Sequence, residues 1–255
     1  VHYGPQDGDF LRQTENIDWF VYTSALPADH PELLAARELG IKATKRDEFI
    51  AELVRQKNLK MIGVAGTHGK TTTTSMLIWA CLKLGIPCNY LVGTTLGWAK
   101  SGSFTAGAEY FIYEADEYDR NFLAYHPEIA VITCVDYDHP DIYPTRGDYE
   151  AAFKKYEHQS HIVVKNTTIN EKITLVGELR RQDASIALDV LKRISNFSED
   201  EICKVLNEFP GVGRRFERIA NGIYSDYGHH PEEIKATVKM AVELKERAGF
   251  KGLAI

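Results

Sequence analysis

The stretch GVAGTHGKTTTTSM, residues 63–76, constrains the fold of this chain more than any other. The apolar segment KMIGVAG predicts a buried strand before it, and TTTTSMLIWACLKLG predicts a helix after it. Gly66 and Gly69 allow positive φ and a close approach of the backbone to an anion, which a side chain would hinder. A strand, a glycine turn and a helix in this order predict a phosphate-binding loop at the helix N-terminus.

Within this loop, Lys70 would reach the β and γ phosphates of a nucleotide, and Thr71 or Thr72 would offer a hydroxyl to Mg²⁺. The strict pattern G-x-x-x-x-G-K-[ST] has a glycine where this chain has Val64, and the glycine stands one residue earlier, at Gly63. A glycine-rich turn that serves packing alone is the alternative. The G-K-T-T run between a strand and a helix favours ATP binding.

Predicted strands and helices alternate along most of the chain. Apolar runs on both sides of a helix indicate a parallel sheet that is covered on both faces. The predicted strands are WFVYTS at 19–24, YFIYEA at 110–115, IAVITCV at 129–135, HIVVK at 161–165 and GIYSDY at 222–227. The predicted helices are HPELLAARELG with Pro31 at its start, RDEFIAELVRQK at 46–57, ASIALDVLKRI at 184–194, one opened by the SEDE capping box at 198–201, and a last one from Pro231.

Acidic side chains and a histidine follow two of these strands. Glu114 begins the acidic run EADEYD, and Asp138 and His139 come just after the strand at 129–135. Because the carboxyl ends of parallel strands line the ligand crevice, both clusters should meet at the edge that carries the glycine loop. Glu114 suits Mg²⁺, and His139 could ligate a second metal ion or orient a substrate. A solvated acidic loop and an ordinary surface or core histidine are the alternatives.

The C-terminal part carries another polar cluster. GVGRRFERI at 211–219 supplies Arg214 and Arg215, and SDYGHHPEE at 225–233 supplies an acid and two histidines. A guanidinium can stack on a base or clamp a phosphate. Paired histidines suggest metal ligation but lack a third ligand at zincin spacing. A solvated basic pair is the alternative for the arginines.

Charge and composition limit the classes of partner that this chain is expected to bind. The 255 residues carry a net charge of −6 without a basic stripe, so we do not expect nucleic acid as a partner. No apolar run approaches the length of a membrane span, so we do not expect a membrane partner either. The four cysteines show no C-x-x-C pairing and fall among apolar residues, which predicts buried, reduced thiols and a cytoplasmic location. Small molecules are the expected ligands, and the oligomeric state stays open.

Five segments in this order, GTHGKTTT, EADEYD, DHPDIY, GVGRRF and DYGHHPEEI, resemble the Mur ligases of peptidoglycan synthesis. YTSALPADHPELLAARELGI also resembles the end of that family's N-terminal UDP-substrate domain. The resemblance implies an α/β fold with a P-loop central domain built on a parallel sheet at 59–210. Partial Rossmann-like domains would flank it, a UDP-substrate domain at 1–58 and the start of an amino-acid- and nucleotide-binding domain at 211–255.

The resemblance also implies an ATP-dependent ligation that uses Mg²⁺. The carboxylate of UDP-N-acetylmuramate attacks the γ-phosphate of ATP, and the amino group of L-alanine then attacks the acyl phosphate. Most members of the family carry Asn where this chain has His68. The T-H-G-K form is typical of the branch that takes UDP-N-acetylmuramate itself, which implies that His68 faces the muramyl carboxylate.

The residue roles implied by the resemblance fall into four groups. The catalytic residues would be Lys70, Glu114 and His139. The ATP-binding residues would be Gly66, Thr67, Gly69, Lys70, Thr71, Thr72, Arg215 and Asp226. The substrate-binding residues would be Ser24, His68, His229 and His230. The metal-binding residues would be Thr71, Thr72, Glu114 and His139.

The chain also departs from the family pattern. GELRRQDA at 177–184 stands where the family has G-x-H-N-x-x-N-A, so that Leu179, Arg180 and Asp183 replace His, Asn and Asn. Cys134 likewise replaces a usual Asn, and we carry over no nucleotide contact to the GELRRQDA segment. The glycine-rich unit that begins the family's first domain, several central strands and most of the last domain are missing. We therefore expect this sequence to be part of a longer protein.

Other functions stay open. A related ligase joins murein tripeptide to UDP-N-acetylmuramate and shares T-H-G-K and EADEYD, but the short segment RNFLAYHPEIAVI favours alanine. Folylpolyglutamate synthetase is more distant, and the stretch DYGHHP argues against it. A regulatory module that binds ATP without ligation would need neither Glu114 and His139 nor the DYGHHP cluster.

Overall fold

The computed structural model describes residues 4–165, 167–228, 231–249 and 252. By its internal contacts the chain divides into two compact units, Val1–Lys57 and Asn58–Ile255. The predicted domain that starts at residue 211 is not a separate unit by this measure, and the three-domain division stays a prediction.

The first unit contains two short parallel strands and three helices. Its elements are α1 Asp9–Gln13, β1 Trp19–Tyr22, α2 Pro31–Glu38, β2 Lys42–Lys45 and α3 Arg46–Gln56. Pro31 stands at the start of α2 as predicted, and the His30 side chain accepts a hydrogen bond from the backbone N–H of Glu32 there. Strand β2, which pairs in parallel with β1, was not predicted.

The second unit is built on a six-stranded sheet. Its strands are β3 Lys60–Ala65, β4 Cys88–Leu91, β5 Gly102–Ser103, β6 Tyr110–Glu114, β7 Ile129–Ile132 and β8 Ile162–Val164. The strand order is β5-β4-β6-β3-β7-β8, and every pair is parallel except β4 with β5 at one edge. The predicted parallel sheet is therefore confirmed, with a short antiparallel addition at its edge. Since β6 and β7 both flank β3, their carboxyl ends meet the end of the strand that enters the glycine turn.

Helices cover both faces of this sheet. The helices are α4 Lys70–Leu84, α5 Arg146–His158, α6 Glu178–Ile194, α7 Glu199–Asn207 and α8 Pro231–Ala248, with a 3₁₀ helix at Tyr118–Ala124. An antiparallel pair, β9 Glu217–Ala220 and β10 Ile223–Ser225, precedes α8. The capping box predicted at Ser198 is present, because Ser198 accepts from the backbone of Glu201 while the Glu201 side chain accepts from the backbone of Ser198.

The two faces of β3 meet different cores. Ile62 and Val64 join a large aliphatic core with α4, α6 and α7. Gly63 faces the other side, where a Cβ would collide with the hydroxyl of Tyr156 on α5. Gly63 therefore serves close packing within the sheet, which explains a glycine one position before the one that the phosphate-loop pattern requires. A bilayer-crossing helix would need a longer apolar run than any described helix contains.

Candidate active site

The glycine loop joins the end of β3 to the start of α4. Gly66 and Gly69 have φ of 139° and 83°, so the predicted positive φ is confirmed at both positions. A Cβ at Gly66 would collide with Thr133 Oγ1 and lie 3.0 Å from the carbonyl oxygen of Cys134. Both glycines are therefore required by the backbone conformation of the loop and by its contact with the end of β7.

Hydrogen bonds from the segment after β7 hold this loop. Thr67 Oγ1 accepts from the backbone N–H of Asp136 at 2.9 Å and lies 2.8 Å from the hydroxyl of Tyr149. The backbone N–H of Thr67 donates to the carbonyl oxygen of Cys134 at 3.1 Å. The Thr67 side chain, predicted to bind ATP, is thus directed into the protein and holds the loop in place.

Lys70 lies at the first position of α4 and faces a buried carboxylate. Its ammonium donates to the carbonyl oxygen of Gly66 at 2.6 Å and lies 2.8 Å from Glu117 Oε2. The Glu117 side chain is 1% exposed. Glu114, from the same acidic run, was the predicted ligand, and no role was predicted for Glu117. The 3₁₀ helix that follows, with Tyr143 donating to the Glu117 carbonyl oxygen at 2.6 Å, turns this residue inward.

Glu114 lies at the end of β6, next to β3, as predicted. Burial raises the pKa of Glu114, although hydrogen bonds from the Thr71 hydroxyl and the Gly93 backbone act in the opposite direction. Its Oε1 atom is buried and makes no hydrogen bond within the described part of the chain. Glu114 therefore keeps an oxygen atom available to a cation.

His139 lies on the other side of Glu117. Its Nε2 atom is 3.6 Å from Glu117 Oε1 and 3.7 Å from Asp138 Oδ2. The hydrogen bond with Glu117 raises the pKa of His139. His139 has a φ of 55°, a conformation that few residues other than glycine adopt. The structure thus brings Lys70, Glu114 and His139 to one sheet edge, with Glu117 between Lys70 and His139.

The carboxylate of Glu114 and the hydroxyl of Thr71 are hard oxygen ligands of the kind that Mg²⁺ prefers. The fit rests on the buried, unbonded Glu114 Oε1 and the adjacent Thr71 hydroxyl. Within residues 4–165, 167–228, 231–249 and 252, no group of three His, Cys, Asp or Glu side chains forms a metal cage. Mg²⁺ would therefore be held by few protein ligands together with phosphate oxygens, the arrangement that is usual for this ion at nucleotides.

A cavity of about 530 Å³ adjoins the glycine loop. A cavity of this size lies in the range of small-molecule sites. It runs from Gly69 and Thr72 along α6 to Phe209 and Gly211 and is bounded by α8. Arg215 and Asp226, which were predicted to bind the nucleotide, line it. Asp226 also holds its own loop, since its carboxylate accepts from the backbone N–H groups of Phe216 and Gly228 at 2.7 Å.

His68 lies beside a carboxylate from α8. Its Nδ1 atom is 3.3 Å from Glu233 Oε1, and Arg215 Nη1 is 3.5 Å from the same oxygen. The side chains of His68 and Glu233 are 12% and 13% exposed. A histidine that was predicted to face a substrate carboxylate is thus already next to a protein carboxylate.

The GELRRQDA segment forms the first turns of α6, which begins six residues earlier than predicted. Asp183 is buried against the loop, and a Cβ at Gly69 would lie 2.5 Å from its Oδ1 atom. Burial raises the pKa of Asp183 to about 7, against the opposite effects of Thr73, Arg180 and Arg215. This segment, for which no nucleotide contact was predicted, forms one wall of the cavity.

The remaining predictions concern the four cysteines, Ser24 and the two histidines His229 and His230. Cys81, Cys88 and Cys203 are buried free thiols, as predicted, whereas Cys134 is half-buried and accepts from the backbone N–H of His68 at 3.3 Å. Ser24 lies in the turn after β1, in the first unit. His229 and His230 lie outside the described residues.

Two family models match this chain. The Mur ligase middle domain matches residues 64–189, and the model described as Mur ligase family, catalytic domain, matches residues 10–58. The chain belongs to the Mur ligase family. Its Lys70, Glu114, Glu117 and His139 all lie within the matched middle domain.

The relatives of this Mur ligase agree with that assignment. A UDP-N-acetylmuramate–L-alanine ligase of Lactiplantibacillus plantarum is 34% identical over 84% of this chain and 58% of the relative. The chain therefore spans about three-fifths of the length of this curated relative.

Solved structures share the fold. The UDP-N-acetylmuramate-alanine ligase MurC of Thermotoga maritima superposes with a TM-score of 0.82 at 22% identity, over 95% of this chain and 67% of that one. A UDP-N-acetylmuramate:L-alanyl-gamma-D-glutamyl-meso-diaminopimelate ligase of Neisseria meningitides has a TM-score of 0.70 at 22% identity, over 83% of this chain and 84% of that one. At such identities the likeness concerns the fold alone.

Proposed function

We propose that this Mur ligase joins L-alanine to the carboxylate of UDP-N-acetylmuramate with cleavage of ATP. The observation that carries the proposal is the group formed by Lys70, Glu114, Glu117 and His139 around the start of α4. The name of the 34% identical relative supports the substrate pair. We further propose residues 1–58, 59–210 and 211–255 as the UDP-substrate domain, the ATP-binding domain and the start of the C-terminal domain.

In the first step, an oxygen of the muramyl carboxylate attacks the γ-phosphorus, and the bond to the β,γ-bridging oxygen breaks to release ADP. Two anions must approach each other, so the barrier falls when fixed positive charge faces the phosphates. Lys70 and the backbone N–H groups at the start of α4 supply that charge. Mg²⁺, held by Glu114 and by Thr71 or Thr72, with His139 for a second ion, would neutralise phosphate charge when bound.

In the second step, the amino nitrogen of L-alanine attacks the acyl carbon, and phosphate leaves as the bond from carbon to the phosphate oxygen breaks. The amine loses a proton in this step. Arg215 and Asp226 are proposed to hold the nucleotide, whereas Ser24, His68, His229 and His230 are proposed to contact the other substrates. Because the reaction consumes ATP, we propose a cytoplasmic location.

Mass spectrometry of the products tests this proposal. The full chain is incubated with Mg-ATP, UDP-N-acetylmuramate and an equimolar mixture of L-alanine and murein tripeptide. We expect a UDP-sugar product that is heavier by one alanyl residue. A tripeptide adduct would assign the chain to the recycling branch of the family, and no adduct from a chain that binds ATP would indicate a non-catalytic nucleotide-binding module.

A further inference from the structure

Arg180 is a half-buried cation for which the proposed reaction has no use. It lies on the first turn of α6 and lines the cavity beside the glycine loop. Burial lowers the pKa of its guanidinium, which still carries a positive charge at neutral pH. Its guanidinium makes no hydrogen bond or close ion pair within the described part of the chain; the Asp183 carboxyl interacts with it electrostatically, and the ring of Phe209 lies 5.8 Å away. A guanidinium that is largely removed from water is costly without hydrogen-bond acceptors, so this one, on a cavity wall, points to a ligand.

The neighbouring Arg181 provides an internal comparison. Its guanidinium donates to the carbonyl oxygen of Leu175 at 2.9 Å and to Glu243 Oε1 at 2.8 Å. Arg181 thus has protein partners that hold α6 to α8. Of two consecutive arginines on the cavity wall, one has a structural use and the other donates no hydrogen bond to a described acceptor.

Arg180 lies farther along the cavity from the glycine loop than Asp183 does. Asp183 marks the phosphate end, because it lies against Gly69 of the glycine loop. Arg180 precedes it by about one helical turn, and its guanidinium extends towards Phe209 and Gly211 in the same cavity. A nucleotide with its phosphates at Lys70 would therefore extend its base towards Arg180.

The guanidinium of Arg180 distinguishes purine bases by the hydrogen-bond acceptors that they offer. Arginine has donors only, arranged in a planar fork, and it pairs best with two adjacent acceptors. The N7 and O6 atoms of a 6-oxopurine offer two acceptors on one edge, whereas adenine places an amino donor beside N7. Arg180 can therefore form two hydrogen bonds with guanine or hypoxanthine but only one with adenine.

We propose that Arg180 donates to the N7 edge of the nucleotide base, so that this site accepts 6-oxopurine nucleoside triphosphates as well as ATP. The inference rests on the proposed function, since it takes the phosphates to lie at the glycine loop. It makes Arg180 a determinant of nucleotide specificity for this chain.

Equilibrium binding of Mg-ATP, Mg-ITP and Mg-GTP to the full chain tests this proposal without requiring ligation. Arg180→Gln should weaken ITP and GTP binding about tenfold or more and ATP binding by less than about threefold. Arg181→Gln, the matched control, removes a charge from the same wall and should change the three affinities by a common factor. Arg180→Lys keeps the positive charge but lacks the planar fork of donors. It should therefore weaken the binding of ITP and GTP as Arg180→Gln does. A thermal melt of each variant verifies folding.

The outcomes separate the two proposals. Equal weakening of all three nucleotides by Arg180→Gln, or wild-type protein that binds ATP and neither ITP nor GTP, would overturn the role of Arg180 and leave the ATP site in place. Binding of none of the three nucleotides to the folded wild-type chain would overturn the proposed function and this inference together.

Discussion

The ammonium of Lys70 lies 2.8 Å from a carboxylate oxygen of Glu117, and both groups are removed from solvent, with 19% and 1% of their side chains exposed. The pair joins the start of α4 to the segment after β6. His139 lies 3.6 Å from the other oxygen of the same carboxylate. Lys70 is therefore both the proposed phosphate ligand and the main counter-charge of a buried acid.

Lys70→Met should destabilise the fold as well as remove nucleotide binding. The substitution leaves the Glu117 carboxylate buried with His139 as its remaining counter-charge among the described residues, which typically costs about 3–5 kcal/mol. Lys70→Met/Glu117→Gln should recover most of that loss because the buried charge is gone, yet it should still form no acyl phosphate. Urea unfolding of wild type, both single variants and the double variant measures the coupling. Additive free energies of unfolding would show that the pair has no energetic role.

Gly63→Ala should destabilise the protein because its Cβ would collide with the hydroxyl of Tyr156. Overpacking of this kind costs about 1–3 kcal/mol. Tyr156→Phe should be nearly neutral, since that hydroxyl is buried and has no hydrogen-bond partner among the described residues. In the double variant the added methyl should be accommodated and most of the stability restored. If Tyr156→Phe gives no rescue, another contact limits the size of residue 63.

Asp183→Asn should make stability less dependent on pH. The pKa of Asp183 rises from its ordinary 3.8 to about 7 in the folded chain, so between these values the folded state binds the extra proton. Stability from this group is complete below pH 3.8 and falls as pH rises towards 7, by about 1.4 kcal/mol per pH unit. Urea unfolding at pH 5 and pH 8 should therefore show a smaller difference for Asp183→Asn than for wild type. Equal differences would contradict the burial of a titrating carboxyl.

His68→Asn should raise the KM for UDP-N-acetylmuramate more than the KM for ATP. The shorter Asn side chain should no longer reach a substrate carboxylate as the imidazole would, and the loss should be about tenfold in KM, equivalent to about 1.4 kcal/mol. Steady-state kinetics with each substrate varied in turn measures both constants. An equal rise in both would mean that His68 acts on the conformation of the glycine loop rather than on the muramyl substrate.

The regular elements near the site were largely predictable. The turn at Gly66 and Gly69 and the start of α7 at Ser198 follow from local rules of backbone conformation and capping. Helix α5 was missed although Thr145 and Asp148 form a capping box at its start, so a signal was present in the sequence. Strands β4 and β5 were missed because they are short and pair at an edge of the sheet.

The phosphate loop, its lysine and the strands whose ends carry acids could be predicted from the amino-acid sequence, because each depends on residues that are close in the chain. Tertiary structure decided which acid faces Lys70, since Glu117 is turned inward by the 3₁₀ helix and Tyr143. It also decided that Arg180 and Asp183 line the cavity, because α6 reaches the loop only through packing between segments far apart in sequence. Contacts of that kind depend on the whole fold, and no local pattern encodes them.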